Sequence, residues 1–254
     1  VQHIDNATYL TDQADIGHTD LLGLYAYPAD LAAPWIRVNF VSSIDGAVSV
    51  DGASGGLGTP SDKKVFGVLR ELADVVLVGA GTVRAENYGG VRVDDATRRR
   101  RLVAGRAAVP PVAVVSASAS IDASSRLFTD TEVPPLILTT SGAQAQRKDR
   151  LTAAGARVLE LGTDSVPTDA LLGALAAEGL ARVLCEGGPG IFGQLIDDDA
   201  VDELCLTTSP VLVGGSSSRI AHSARGLRNA MTRGHMLIDG DGTVLTRWVR
   251  ARQR

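Results

Sequence analysis

Cysteine is scarce in this chain: only Cys185 and Cys205 occur in 254 residues. Both sit in apolar, strand-like runs and no CxxC spacing occurs, which leaves two buried free thiols as the expectation and suits a reducing cytoplasm. Histidine is nearly as sparse, and His3, His18, His222 and His235 lack ligand spacing, so no metal is expected. A charge of one sign is also missing. With 25 basic against 29 acidic residues the net charge is −4, which disfavours a nucleic-acid partner. The one basic cluster, TRRRRLVAGR at 97–106, then reads as a solvated loop. No run of about 18 apolar residues is present, so no membrane-spanning helix is expected. The polar N-terminus lacks the basic start and apolar core of a signal peptide, and a cytoplasmic protein is expected.

What is present is an alternation of strand and helix patterns. WIRVNFVSS alternates with Ile36, Val38 and Phe40 on one face and reads as a strand over 35–42. Residues 1–34 before it are expected to form an arm, and residues 35–254 a single domain. Thr59, Pro60 and Asp62 mark a helix start as N-cap, first and third positions. Strands are expected at about 74–79, 111–116, 136–139 and 181–185, with helices at about 143–154 and 168–178. Thr168 is expected to cap the last of these and Gly179 to stop it. Asp239 to Gly242, flanked by β-rich runs, predicts a C-terminal hairpin. A βα series with a final hairpin predicts a three-layer α/β fold around a mixed sheet.

Two strands run straight into glycine turns, DVVLVGAGTVRAENYGG at 74–90 and RVLCEGGPGIFGQL at 182–195. A dinucleotide fingerprint of the GxGxxG kind needs a third glycine where Arg84 stands and an acidic residue about twenty positions on, which is absent. Gly79 and Gly81 still permit close approach of backbone to a ligand, and Thr82 adds a hydroxyl. Gly187, Gly188, Pro189 and Gly190 crowd the junction of a strand and a helix start, where exposed N–H groups suit a pyrophosphate. Glu186 beside them either caps that helix or reaches a substrate donor. Asp45, in a polar turn after the first strand, also lies near a strand's carboxyl end, although turn chemistry alone explains an Asp-Gly pair. Residues 52–56 match the GxSxG of serine hydrolases, but no strand ends at Ser54 and the following helix waits for Pro60.

SSIDG, ADVVLVGAGTVRAEN, CEGGPGIFGQLI and VDELCLTTSPVLVGG, in that order, make the chain resemble the reductase domain of bacterial riboflavin biosynthesis, a relative of dihydrofolate reductase. The resemblance extends over about residues 35–250 and is nearest to stand-alone actinobacterial members. It implies a dihydrofolate-reductase-like fold, NADPH as hydride donor, a homodimer, and reduction of 5-amino-6-(5-phosphoribosylamino)uracil. By the same resemblance Asp45 is the carboxylate facing the pyrimidine, with Asn39, Ser42, Asn87, Arg92 and Glu186 on the substrate; Asp45 is then expected as the catalytic residue, delivering a proton itself or through a water, or else as a substrate anchor. Gly79, Gly81, Thr82, Gly187, Gly188 and Pro189 are implied on the cofactor, and Ser116, Thr139 and Thr140 at its adenosine 2′-phosphate. The chain departs from that pattern at Ala47, where the family has lysine, and at Glu86 and Tyr88, where it has aspartate and proline. The lost cation leaves the substrate open between a pyrimidine and a pterin such as dihydrofolate.

Overall fold

The computed structural model describes residues 8–9 and 16–251; the parts of the expected arm at 1–7 and 10–15, and residues 252–254, lie outside the described residues. Ten strands form one sheet. They are β1 (Thr8–Tyr9), β2 (Trp35–Ser43), β3 (Val75–Gly79), β4 (Val112–Val115), β5 (Leu136–Thr139), β6 (Arg157–Glu160), β7 (Arg182–Cys185), β8 (Glu203–Ser209), β9 (Met231–Ile238) and β10 (Val244–Arg250). Their spatial order is β1-β9-β10-β8-β2-β7-β3-β4-β5-β6. From β8 to β6 neighbouring strands are parallel, while β10 runs antiparallel to both β8 and β9. The expected mixed sheet with a C-terminal hairpin is therefore present. The helices are α1 (His18–Leu24), α2 (Pro60–Leu72), α3 (Ala80–Ala85), α4 (Asp95–Val103), α5 (Arg126–Thr129), α6 (Ala145–Ala153), α7 (Thr168–Ala177) and α8 (Pro189–Asp197).

Three layers follow from strands that are apolar on both faces. In β3 the side chains of Val75 and Leu77 join Leu136, Leu138, Val183 and Cys185 under Leu171 and Leu175 of α7 and Phe192 and Leu195 of α8. Val76 and Val78 point the other way, with Val112, Val114 and Ile137, onto Val65 and Leu69 of α2 and Leu151 of α6. Each such side chain, fully buried, contributes about 1.5–3 kcal/mol, so both helical layers are held chiefly by burial. Both cysteines are buried and free. Thr59 caps α2 as expected, its hydroxyl oxygen accepting the Asp62 N–H at 3.3 Å.

Several elements differ from expectation. The segment read as an arm contains α1, and Leu21, Tyr25 and Tyr27 are buried in the same core as α2, so this stretch belongs to the domain. The arginine cluster is no solvated loop. Asp94 caps α4 by accepting the Thr97 N–H at 2.7 Å, and Arg101 is fully buried, its Nη1 donating to the carbonyls of Arg70, Glu71 and Ala73. A guanidinium, with five donors in a plane, can gather the last carbonyls of a helix in this way. Thr168 is the first residue of α7 instead of its cap, and its hydroxyl donates to Asp198 Oδ2 at 2.7 Å.

Glu203 anchors the junction between parallel and antiparallel strands. Fully buried, it accepts from Arg37 Nε at 2.7 Å and from Arg247 Nε at 2.8 Å. Burial works to raise its pKa, but the two guanidiniums outweigh it and hold the carboxyl below its ordinary value. Nearby, burial and then Arg247 push the His235 imidazole down to about 4. An unfolded histidine takes its proton near 6.5, so as the pH drops from roughly 6.5 to 4 the unfolded chain binds the additional proton and stability decreases on acidification. We expect His235→Gln to flatten that part of the stability curve in denaturant titrations at stepped pH; an unchanged slope would show that His235 titrates normally.

Candidate active site

The strand order brings the two glycine loops together. Since β7 lies between β2 and β3, all three parallel strands end on one side of the sheet. There Gly79 N–H donates to the Gly187 carbonyl at 2.8 Å and Glu186 N–H to that of Leu77 at 2.9 Å. A cavity of about 860 Å³ opens at this place. Its walls are Asn39 and Phe40 of β2, the loop that follows β2, Phe66 and Arg70 of α2, residues 86–90, and the start of α8.

Gly187 has φ +103, and a Cβ there would stand 3.2 Å from the Phe40 ring. At Gly188 a Cβ would lie 2.6 Å from Thr82 Oγ1, whereas at Gly81 and Gly190 the same position is open. Gly188 caps α8 without any side-chain hydrogen bond, and Pro189 brings no N–H. The donors that begin α8 therefore face the cavity in a groove that side chains would fill. Such a cradle fits the pyrophosphate of a dinucleotide.

The wall beside the cradle is charged. Arg70 forms a two-pronged ion pair with Glu186, Nε to Oε1 at 2.8 Å and Nη2 to Oε2 at 2.7 Å. Tyr88 closes the group: its hydroxyl donates to Glu186 Oε2 and accepts from Arg70 Nη2 at 2.8 Å. Phe66 lies under the guanidinium, 4.2 Å from the ring centre, and fixes its plane. Burial works against the Arg70 charge, but Glu186 more than offsets this and its pKa is raised; burial and then Glu186 also raise that of Tyr88. The group thus holds a carboxylate, a guanidinium and a protonated phenol, with Arg70 Nη1 not engaged by any protein acceptor among the described residues.

Asn39, Gly79, Gly81, Thr82, Asn87, Arg92, Glu186, Gly188 and Pro189, all expected at the site, line this one cavity. Glu186 does not cap α8. Asn87 adopts φ +46, and Arg92 sits on the rim in ion pairs with Asp130 and Glu132. Ser42 and Asp45 are placed differently, in a neighbouring hollow of about 480 Å³ with Ala47, Ser217 and Arg219. Both Asp45 oxygens are occupied: Ser43 Oγ donates at 2.5 Å, Gly214 N–H at 2.7 Å and Val213 N–H at 3.1 Å. These bonds, in that order, lower its pKa to about 2, so at neutral pH it has no proton to give. Ser116, Thr139 and Thr140 are buried at the ends of β4 and β5, and both threonine hydroxyls donate to the Ala117 carbonyl. Two cations flank that loop: exposed Arg84 donates to the Ser120 carbonyl at 3.1 Å and half-buried Arg147 to that of Ser118 at 3.3 Å.

Sequence reasoning missed Arg70 and Phe66, which lie on α2 with nothing local to single them out. Tyr88 was visible only as a departure from a motif. The GxSxG segment forms a short 3₁₀ turn, Ser54–Gly56, on the cavity wall, where Ser54 N–H donates to Glu86 Oε1 at 2.9 Å. No strand delivers Ser54, so it is not a nucleophile elbow.

The RibD C-terminal domain family matches residues 34–245. Among curated proteins, the riboflavin biosynthesis protein RibD of Bacillus amyloliquefaciens is 28% identical over 198 residues, 77% of this chain but 51% of that protein. The match therefore spans about half of the Bacillus protein. The 2,5-diamino-6-ribosylamino-4(3H)-pyrimidinone 5′-phosphate reductase of Archaeoglobus fulgidus is 28% identical over 186 residues, 73% of this chain and 84% of that one. A solved structure of a pyrimidine reductase-like protein from Corynebacterium diphtheriae superposes with a TM-score of 0.81 at 28% identity, covering 92% of this chain and 99% of that one. With its two glycine loops, the cavity between them and most of its length within the matched span, this chain belongs to the RibD C-terminal domain family.

Proposed function

We propose that the protein is an NADPH-dependent oxidoreductase that reduces 5-amino-6-(5-phosphoribosylamino)uracil in riboflavin biosynthesis. The observation that carries this reading is the presence of a glycine cradle and the Arg70–Glu186–Tyr88 group in one cavity. When bound, NADPH supplies the hydride. The chain's part is orientation and proton handling. Gly188, Pro189 and Gly190 hold the dinucleotide at the start of α8. Arg70 presents its Nη1 to a carbonyl of the heterocycle, and Glu186 keeps that guanidinium in place. Tyr88 is the proton-bearing group beside them. Arg92 and Asn87 lie where the ribose phosphate leaves the cavity, and Arg84 with Arg147 receives the adenosine 2′-phosphate, which favours NADPH over NADH. A homodimer and a cytoplasmic setting accompany the reading by family resemblance. No helix among the described residues is long and apolar enough to cross a membrane.

The test is a paired assay, followed at the nicotinamide absorbance, with the phosphoribosylaminouracil and with dihydrofolate. Turnover of the first well above the second is expected. Glu186→Gln should lower kcat/KM about a hundredfold, because Arg70 loses its charged partner and one of the two acceptor oxygens becomes an amide donor, while NADPH affinity stays within about threefold. Preference for dihydrofolate would replace the substrate, and an unchanged kcat/KM would remove Glu186 from the site.

A further inference from the structure

Two irregular loops face each other beside the cavity and exchange hydrogen bonds in both directions. The first, residues 44–59, joins β2 to α2; the second, residues 210–230, joins β8 to β9. Asp45 of the first loop accepts from Val213 and Gly214 of the second. Ser217 of the second accepts from Val48 N–H at 3.1 Å and Ser49 N–H at 3.3 Å of the first. A backbone bond, Ile44 N–H to the Val211 carbonyl at 3.0 Å, lies alongside. Little apolar surface is covered there: Ile44, Val211 and Leu212 are 61%, 42% and 75% exposed. Polar bonds, not burial, therefore hold the pair together.

What these bonds hold is a wall of the site. Beyond the crossed pair, Val48, Ser49, Gly52 and Ser54 line the cavity, and Ser218 reaches it from the second loop. The second loop is itself tied to the cofactor side, through His222 N–H to the Pro189 carbonyl at 2.9 Å and Arg225 to Asp198 at 3.0 Å. The first loop thus takes its position relative to the glycine cradle in part from the second, beside its own bond from Ser54 N–H to Glu86. We propose that Asp45 and Ser217 are positioning residues, a reciprocal latch that sets residues 48–54 against the bound ligands, and that Asp45 acts through this wall instead of on the reacting atoms. The ionised carboxylate, with bonds to both of its oxygens, agrees with that role. The kinetic part of the inference rests on the proposed reductase reading.

The test compares Asp45→Ala, Asp45→Asn, Ser217→Ala and the double alanine variant with the unaltered protein. Amide hydrogen exchange on ligand-free protein should accelerate at least about tenfold in both loops for either alanine variant and stay unchanged in β3 and β7. This arm needs no substrate, so it stands even if the reductase reading fails. In turnover, KM for NADPH and pyrimidine should rise about tenfold with kcat held within about threefold. Asp45→Asn, which keeps a carbonyl acceptor, should lie between wild type and Asp45→Ala. The double variant should be little worse than the poorer single one, because one broken half already frees the wall. Unchanged exchange in the alanine variants overturns the latch. So does faster exchange with unaltered KM, and so does an equal loss of kcat in Asn and Ala variants at constant KM, which would return Asp45 to the reacting atoms.

Discussion

Gly188→Val is expected to lose NADPH binding altogether. The backbone at this position, φ −84 and ψ −171, is extended and open to any residue, so the substitution does not forbid the fold. Space is what it removes. Its Cβ would fall 2.6 Å from Thr82 Oγ1, and Thr82 is β-branched with little freedom to turn aside. The γ-methyl groups then project over the first turn of α8, where the free N–H donors lie. A ligand at a hundred times its Kd stabilises by about 2.7 kcal/mol, so thermal unfolding with and without NADPH reads the effect directly. The unaltered protein should show an upward shift and the variant none, with Gly188→Ala between them. A full shift in the valine variant would take this loop out of the cofactor site.

Glu203→Gln should produce the largest loss of stability. It leaves Arg37, fully buried, and Arg247, mostly buried, without their shared carboxylate. Removing one member of a buried ion pair costs about 3–5 kcal/mol, since the remaining charge has lost its water and its partner. For a chain of this size that corresponds to a Tm lower by about 10 °C. Exchanging the group for apolar residues is a different case: a matched replacement of Arg37, Glu203 and Arg247 together avoids the stranded charge and should recover much of the loss. A Glu203→Gln protein that melts with the parent would show that water reaches this cluster.

Much of the fold was legible because it depends on short-range patterns. The apolar runs that became β3, β5 and β7, and the Thr59-Pro60-Asp62 start of α2, carry their instruction within a few residues. The misses have a common cause. Leu21, Tyr25 and Arg101 are buried by partners far along the chain, and nothing near Arg101 distinguishes it from the exposed arginines beside it. The glycine loops that line the cavity were visible for the same local reason, since each is a short motif directly at a strand end. Arg70 was not, because its role is defined by Glu186 and Tyr88, brought to it by the sheet. Asp45 shows the converse. Its place after the first strand suggested chemistry, while the bonds that occupy it come from Val213 and Gly214.

The place of β7 also has a consequence for the order of folding. It is a central strand, paired on one side with β2 and on the other with β3, and Trp35 meets Arg182 while Val75 meets Val183. During synthesis from the N-terminus, β2 and β3 emerge long before the strand that must go between them. Until residues 182–185 appear, β2 has neither of its parallel neighbours, because β8 comes later still. Parallel pairings of such wide sequence separation form slowly, and unpaired edges left waiting are prone to wrong association. The large cavity, whose second glycine loop directly follows β7, can form only after that insertion. A nascent chain halted before Arg182 should hold β3 to β6 as a partial sheet and bind no nucleotide.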